Sequence, residues 1–149
     1  MSFHKEEANI FYIYFQIIKK YKKYMEKSLQ EFELTPAEID VLTFLINNMD
    51  KDITASEISM NRGISKGLVS RAVNLLKDKK LIETKENLKD GRSVYLKITN
   101  EEDSIVKKVK EINERFKTQL IKDMDIKDFD LFLKVNNKML NNIKDIEIE

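Results

Sequence analysis

The spacing of apolar residues in this chain changes from a helical pattern to a strand pattern at Leu81 and becomes helical again after Ile98. Ile82–Glu86 and Ser93–Ile98 are predicted to be two short strands, the second with alternating apolar positions. The segment Asn87–Arg92 supplies the Asn, Asp and Gly residues that are typical of a hairpin turn. Because the other periodic segments are helical, the expected fold class is mainly α with a small antiparallel β-hairpin.

Three helix-start signals precede this hairpin. Thr35-Pro36-Ala37-Glu38 and Thr54-Ala55-Ser56-Glu57 are capping boxes, the first with proline at the first helical position. Ser65 is predicted to cap a helix from Lys66 to about Lys79, and Gly63 is predicted to end the short helix before it. A short helix, a tight turn, a second helix and a hairpin, in this order, predict a winged helix-turn-helix.

Apolar helices are predicted on both sides of this region. Residues 8–30 carry two apolar stripes, which is more than a single-faced helix on a monomer needs. Residues 100–149 are predicted to form two helices, the first capped by Thr99 or Asn100 and the second beginning after a break at Met124-Asp125. The length of 149 residues suits one domain. We therefore expect a single domain, 1–149, with the winged helix-turn-helix at 35–99 and dimerisation helices at 1–34 and 100–149.

Positive charge is concentrated between Arg62 and Lys97. This stretch holds ten Lys and Arg against four Asp and Glu, a surplus of +6, in a chain whose formal net charge is +1. The segments on both sides are net acidic. A basic block between acidic arms is the electrostatic footprint of a protein that binds a polyanion, so nucleic acid is the predicted partner.

Two motifs in the basic block carry a family resemblance. Ile58–Arg71 resembles the helix-turn-helix of the MarR/SlyA family of transcriptional regulators, and Asp90-Gly91-Arg92 with Ile98-Thr99 resembles the wing signature of that family, D-x-R-x5-[L/I]-T. The resemblance implies a homodimeric repressor that binds a pseudo-palindromic double-stranded DNA operator. It also implies a small, often phenolic or anionic, effector that releases the DNA.

The predicted helix after Ser65 has a polar face that suits the major groove. Its apolar positions are expected to point inward: Val69, Ala72, Val73 and Leu76. The cap and the opposite face are the predicted DNA-binding residues of this helix: Ser65, Lys66, Gly67, Ser70, Arg71, Asn74 and Lys77. Arginine can fork to guanine and asparagine can pair with adenine, whereas serine can bond phosphate or base edges. For any one of these residues, an ordinary solvated position is the alternative.

The hairpin tip is predicted to contact DNA as well. In the family that the motif resembles, the arginine at the position of Arg92 reaches into the minor groove, and Asp90 is expected to hold its side chain or the loop. Arginine suits a narrow minor groove because the negative potential is enhanced there. Lys89, together with Lys85 and Lys97, is expected either to contact the DNA backbone or to serve as solubilising charge.

Two positions depart from the family pattern. Lys80 stands where a glycine usually closes the recognition helix, so a left-handed lysine would cost about 1 kcal/mol unless the helix ends by another geometry. Arg62 replaces a typically apolar residue ahead of Gly63. Its side chain is predicted to run along the core and to present the guanidinium to a phosphate.

Five aromatic residues are either plain core or the lining of an effector crevice between the dimerisation helices and the winged region: Tyr12, Phe15, Tyr21, Phe44 and Phe116. The chain has no Cys, which excludes a thiol redox sensor and a thiolate metal site, and no cofactor is expected. Four aspartates, at positions 123, 125, 128 and 130, lack the glycine and distal glutamate of a calcium loop, so they are predicted to cap the last helix.

Other classes of protein fit the sequence less well. No set of residues resembles a catalytic site, so an enzyme is not expected. The longest apolar run, Ile10–Phe15 continuing at Ile17 and Ile18, is far below the roughly 20 residues that span a bilayer, so a soluble cytoplasmic protein is expected. A helix lying on a membrane surface is one alternative. A winged-helix scaffold for protein interactions is the other, although a scaffold would not need the basic surplus.

Overall fold

The computed structural model describes residues 9–148 of the chain. The elements, in chain order, are α1 (Ile10–Ser28), a 3-10 turn (Gln30–Phe32), α2 (Pro36–Asn47), α3 (Ala55–Arg62), α4 (Lys66–Asp78), β1 (Ile82–Glu86), β2 (Val94–Ile98), α5 (Ser104–Leu120) and α6 (Ile126–Ile143). The expected class, mainly α with a small antiparallel hairpin, is confirmed. The chain divides into two compact units, Met1–Glu114 and Arg115–Glu149, and α5 continues from the first into the second.

The core of the first unit consists of apolar side chains from α1 to α5 and from both strands. Leu42 of α2, Ile58 of α3 and Leu76 of α4 have no exposed surface. Burying one such side chain contributes about 1.5–3 kcal/mol, so this shared cluster determines how α3 and α4 sit on α2. The two helices of the helix-turn-helix are therefore held by packing and not only by their turn.

The hairpin is joined to the rest of the first unit at its base. The strands pair in antiparallel register from Ile82 opposite Ile98 to Glu86 opposite Val94. The backbone N–H of Leu96 also donates to the carbonyl of Ile53 at 2.7 Å, which forms an isolated bridge just before α3. The base of the wing is thus part of the same hydrogen-bonded structure as the helix-turn-helix.

The predicted caps of α2, α3 and α4 are confirmed, although only the Thr54 half of the capping box predicted for α3 is formed. The predicted start of α5 is wrong. Thr35 and Glu38 form the complete capping box of α2, and the Ser65 hydroxyl accepts from the Leu68 N–H at 3.2 Å. Asn100 instead uses its side chain in a turn, accepting from the Glu102 N–H at 2.9 Å. The helix consequently begins four residues later than Asn100, after Asp103.

Lys80 closes α4 in the left-handed conformation, with φ of 61°. The N–H of Lys80 donates to the Lys77 carbonyl at 2.9 Å, and the N–H of Leu81 donates to the Leu76 carbonyl at 3.0 Å. This pair of bonds is the Schellman motif, which usually has glycine at the left-handed position. The lysine adopts the left-handed geometry that glycine usually takes at this position, and it carries the conformational cost predicted for it.

Replacing Lys80 by glycine is therefore expected to raise the free energy of unfolding by about 1 kcal/mol, because glycine adopts a positive φ without a Cβ clash. The check is urea unfolding, in which the midpoint should rise while the slope stays unchanged. Arg71→Gly, at an exposed position in the middle of the same helix, is the matched control and should lower the free energy of unfolding by about 1 kcal/mol. A Lys80→Gly midpoint at or below that of the wild type would contradict the strain.

The second unit contains the end of α5 and all of α6. The Asp125 carboxylate accepts from the Lys127 N–H at 3.4 Å and caps α6, as predicted for the aspartate cluster. Many apolar side chains of α6 are exposed: Ile126, Leu131, Phe132, Leu133, Val135, Leu140 and Ile143. Within residues 9–148, no helix combines the length and the apolar character required to cross a bilayer.

Candidate nucleic-acid interface

Helix α4 presents one buried and one exposed face. The four apolar residues predicted to point inward are buried: Val69, Ala72, Val73 and Leu76. The six polar residues and one glycine predicted for the cap and the opposite face are all exposed: Ser65, Lys66, Gly67, Ser70, Arg71, Asn74 and Lys77. A continuous exposed face with two lysines, one arginine and one asparagine can offer both cations to phosphates and hydrogen-bonding groups to base edges.

The turn between α3 and α4 is held in one geometry. Gly63 ends α3 with φ of 62° and ψ of 34°, the left-handed conformation that glycine adopts most readily. The Ser59 hydroxyl donates to the Ile64 carbonyl at 2.6 Å, and the Ile64 N–H donates to the Ser59 carbonyl at 3.2 Å. These bonds close the turn from both sides, and α4 begins only two residues after Ile64.

The far end of α4 is anchored to α2 by an ion pair that the sequence analysis did not predict. The Lys79 ammonium lies 2.7 Å from the Glu38 carboxylate. Glu38 is only 1% exposed, and its other carboxylate oxygen accepts from the Thr35 N–H at 3.1 Å. The capping glutamate of α2 therefore also binds the C-cap residue of α4, so both ends of α4 are held in place.

The loop of the wing, residues 87–93, is organised by one buried asparagine. The Asn87 side-chain oxygen accepts from the N–H groups of Lys89 and Asp90 at 3.0 and 3.2 Å, and its amide donates to the Ser93 hydroxyl at 3.0 Å. The Asp90 carboxylate accepts from the Arg92 N–H at 3.0 Å. Asp90 thus holds the loop backbone, one of the two roles predicted for it.

Removing the Asn87 side chain should loosen the wing loop. Asn87→Ala leaves two N–H groups and one hydroxyl without their acceptor or donor, so we expect the free energy of unfolding to fall by about 1–2 kcal/mol. The measurement is urea unfolding, with amide exchange of residues 88–92 as the local readout. Asn61→Ala, which removes an exposed side-chain bond to the Glu57 carbonyl, is the control and should change stability less. Unchanged exchange in the loop would contradict the role of Asn87.

The cations of the wing differ in their surroundings. Lys85, Lys89 and Arg92 are exposed. Lys97 instead bonds within the protein: its ammonium lies 2.8 Å from the Asp52 carboxylate and 2.7 Å from the Lys51 carbonyl. The hydrogen bond from Lys97 lowers the pKa of the Asp52 carboxyl. Lys97 therefore ties β2 to the segment before α3, whereas the sequence analysis offered it as a backbone contact or as solubilising charge.

A cavity of about 450 Å³ opens between α1, α2 and α3 of the first unit. Its walls include apolar side chains of α1 and α2 together with Tyr21, Asp40, Thr43 and Arg62. Burial raises the pKa of both the Tyr21 hydroxyl and the Asp40 carboxyl. The Tyr21 hydroxyl donates a hydrogen bond to the Asn113 side chain, so the cavity wall is also joined to α5.

Arg62 lies at this cavity, and its guanidinium packs over the Phe44 ring at 5.0 Å from the centroid. This contact is a cation–π interaction, and it places the charge beside the cavity. Arg62 is predicted from sequence to offer its guanidinium to a phosphate; the residue is exposed, but the guanidinium packs on the buried Phe44 ring.

The five aromatic candidates for an effector site are not all brought together. Tyr21 lines the cavity, and Phe44 lies buried beneath Arg62. Tyr12 and Phe15 are exposed on α1, and Phe116 belongs to the second unit. Asp40 and Thr43, which also line the cavity, belong to no sequence motif and are recognisable as site residues only from the packing of α1 on α2.

The sequence and the fold of this chain are similar to those of known transcriptional regulators. The model of the MarR family matches residues 32–93, which contain α2 to α4 and the wing loop. The HTH-type transcriptional regulator SarR of Staphylococcus aureus (strain USA300) is 27% identical over 97 residues, covering 64% of this chain and 84% of SarR. A MarR-family transcriptional regulator from Silicibacter pomeroyi has a similar fold, with a TM-score of 0.82 and 20% identity over 96% of this chain and 95% of that one. The crystal structure of the S. aureus MepR–DNA complex is also similar to this chain, with a TM-score of 0.72 and 20% identity over 92% of this chain and 98% of the MepR chain.

Proposed function

We propose that the chain is a winged helix-turn-helix transcriptional regulator of the MarR family, which acts as a homodimeric repressor on a pseudo-palindromic DNA operator. The observation that carries this proposal is the exposed polar face of α4, held at both ends by the closed turn at Gly63 and by the Glu38–Lys79 pair. A helix fixed in this way can enter the major groove without first having to be ordered.

In the proposed complex, α4 reads bases and the wing follows the neighbouring minor groove. Arg71 and Asn74 are the base-reading residues, because their side chains can make two-pronged contacts with guanine and adenine. Ser65, Lys66, Gly67, Ser70 and Lys77 position the helix on the backbone. Arg92 enters the minor groove, Asp90 holds its loop, and Lys89 contacts phosphate.

A second copy of the chain is the proposed partner for the apolar surface of α1. Phe11 and Phe15 are 77% and 63% exposed, and Ile10, Ile13 and Ile18 on the same helix are exposed as well. The apolar side chains exposed on α6, in the second unit, are a further surface that a second copy could cover. Dimerisation would bury these side chains and would present two α4 helices to half-sites about 34–36 Å apart. Residues 35–99 are thus the DNA-binding region, and 1–34 and 100–149 are the dimerisation segments.

The cavity beside Arg62 is the proposed effector site. Apolar walls from Ile18, Met25 and Ile39 suit a ring or a short aliphatic body, and Arg62 supplies the group for an anionic substituent. Arg62 is the last residue of α3 and is followed directly by Gly63. A ligand that binds more tightly when the two α4 helices are wrongly spaced would weaken DNA binding by that difference in affinity.

The test of the proposed function is selection of bound sequences from a random duplex pool with the purified chain at near-physiological salt. Enrichment of an inverted repeat is the expected result, with half-sites separated by about one helical turn. Binding that is sensitive to salt but enriches no sequence would contradict sequence-specific regulation. Enrichment of single half-sites, with a monomer in sedimentation, would contradict the dimer while leaving the recognition helix in place.

A further inference from the structure

The wing loop carries an apolar side chain that the proposed function does not use. Leu88 is 89% exposed, although both its neighbours in the chain are tied into the loop. Asn87 is buried, and the Lys89 N–H is bonded to the Asn87 side chain at 3.0 Å. The loop therefore holds Leu88 outward on a defined backbone, unlike the apolar side chain of a disordered tip.

The surroundings of Leu88 are those of a DNA-facing surface. Lys89 and Arg92 belong to the same loop, Lys85 lies on the strand leading into it, and all three are exposed. Two exposed carboxylates, Glu86 and Asp90, also flank Leu88, and Asp90 accepts from the Arg92 N–H within the loop. A leucine held in water at this position adds no packing to the free protein. Leucine is one of the residues that minor-groove proteins insert between base pairs, partly unstacking one step and bending the duplex away from the protein by about 20–90°.

We propose that Leu88 is a minor-groove wedge: it inserts at a base step beside Arg92 and bends the operator. This inference rests on the proposed docking of the wing. It adds a source of sequence preference that requires no hydrogen bond, because pyrimidine–purine steps unstack and kink more readily than other steps. A flexible step should therefore be preferred where the wing tip lies, outside the bases that α4 reads.

The test compares the wild type with Leu88→Ala and Leu88→Lys on the duplex that the wild type selects. Bending is measured by energy transfer between dyes at the two duplex ends, and affinity is measured by titration. Both variants are expected to lose most of the bend, and Leu88→Ala is expected to bind about tenfold more weakly because the buried apolar contact is lost. Met60→Ala is the matched control, since Met60 is the 83% exposed apolar residue of α3, and it should leave the bend unchanged.

The outcomes separate the wedge from the function on which it rests. A wild-type complex that bends DNA, with bends retained in both Leu88 variants, overturns the wedge alone. Weaker binding by Leu88→Ala with an unchanged bend also overturns it, because the contact is then superficial. A wild type that binds no duplex overturns the proposed function and the wedge together. Leu88 is exposed, so replacing it should not change stability. Urea midpoints equal to that of the wild type will therefore show that a lost bend does not come from unfolding of the variants.

Discussion

Replacing Lys79 by methionine is expected to lower the free energy of unfolding by about 3 kcal/mol, because it leaves the buried Glu38 carboxylate without its cation. Glu38 is 1% exposed and Lys79 retains 34% exposure of its side chain, so the two partners are not equivalent. Removing the lysine leaves the buried Glu38 carboxylate without a compensating cation. Removing the glutamate leaves a lysine whose ammonium can still be hydrated. Glu38→Ala should therefore cost less, about 2 kcal/mol, mainly through the lost capping box and a small cavity.

A double-variant cycle in urea separates these contributions. Glu38→Gln retains an acceptor for the Thr35 N–H and removes the charge, so Lys79→Met combined with Glu38→Gln should be more stable than Lys79→Met alone. If Lys79→Met lowers the free energy of unfolding by less than about 0.5 kcal/mol, the pair behaves as an ordinary surface ion pair. In that case α4 would be positioned by its apolar face alone.

Replacing Arg71 by alanine is expected to weaken operator binding by about 1–3 kcal/mol and to relax base preference at one position of each half-site. The exposed guanidinium lies in the middle of the α4 face, between Ser70 and Asn74 and opposite the buried apolar residues. Since its side chain contributes nothing to the core, the urea midpoint should stay unchanged. The measurement is binding to the selected operator and to duplexes with each base replaced in turn.

Lys89→Ala is the matched comparison for Arg71→Ala. A phosphate contact carries no sequence information, so this change should weaken binding to all duplexes alike and lower the salt dependence by about one unit of slope. If Arg71→Ala and the wild type have the same base preference, Arg71 does not contact a base, and α4 must dock in the major groove in another register. A changed base preference for Lys89→Ala would show that the wing tip contacts base edges at that position.

The elements around the site were predictable from sequence because their signals are local. Each signal depends on residues that are close together in the chain. Examples are the caps at Thr35-Pro36 and Ser65, the alternation in β2, and the spacing of Val69, Ala72 and Leu76 on the buried face of α4. The start of α5 was mispredicted for a related reason. Asn100 can cap a helix or form a turn of its own, and the turn wins.

Contacts between distant segments were not predictable in the same way. Glu38 and Lys79 are 41 positions apart, and Lys97 and Lys51 are 46 apart, so only the packed fold reveals either pair. Asn87 had a local signal, because asparagine at the start of a turn often bonds the following backbone. The cavity required the packing of α1 on α2 beside the end of α3, which periodicity alone does not specify.

The bridge between Ile53 and Leu96 divides the wing into a base and a tip that should tolerate sequence changes to different degrees. The base shares its hydrogen bonds and its apolar side chains with the helices, so an insertion there would disturb the whole first unit. The tip depends on bonds within residues 87–93 and can change in length or composition at small cost to the remainder. Under the proposed function, local changes at the tip would alter the contacts of the wing with DNA, while the framework that presents α4 stays the same.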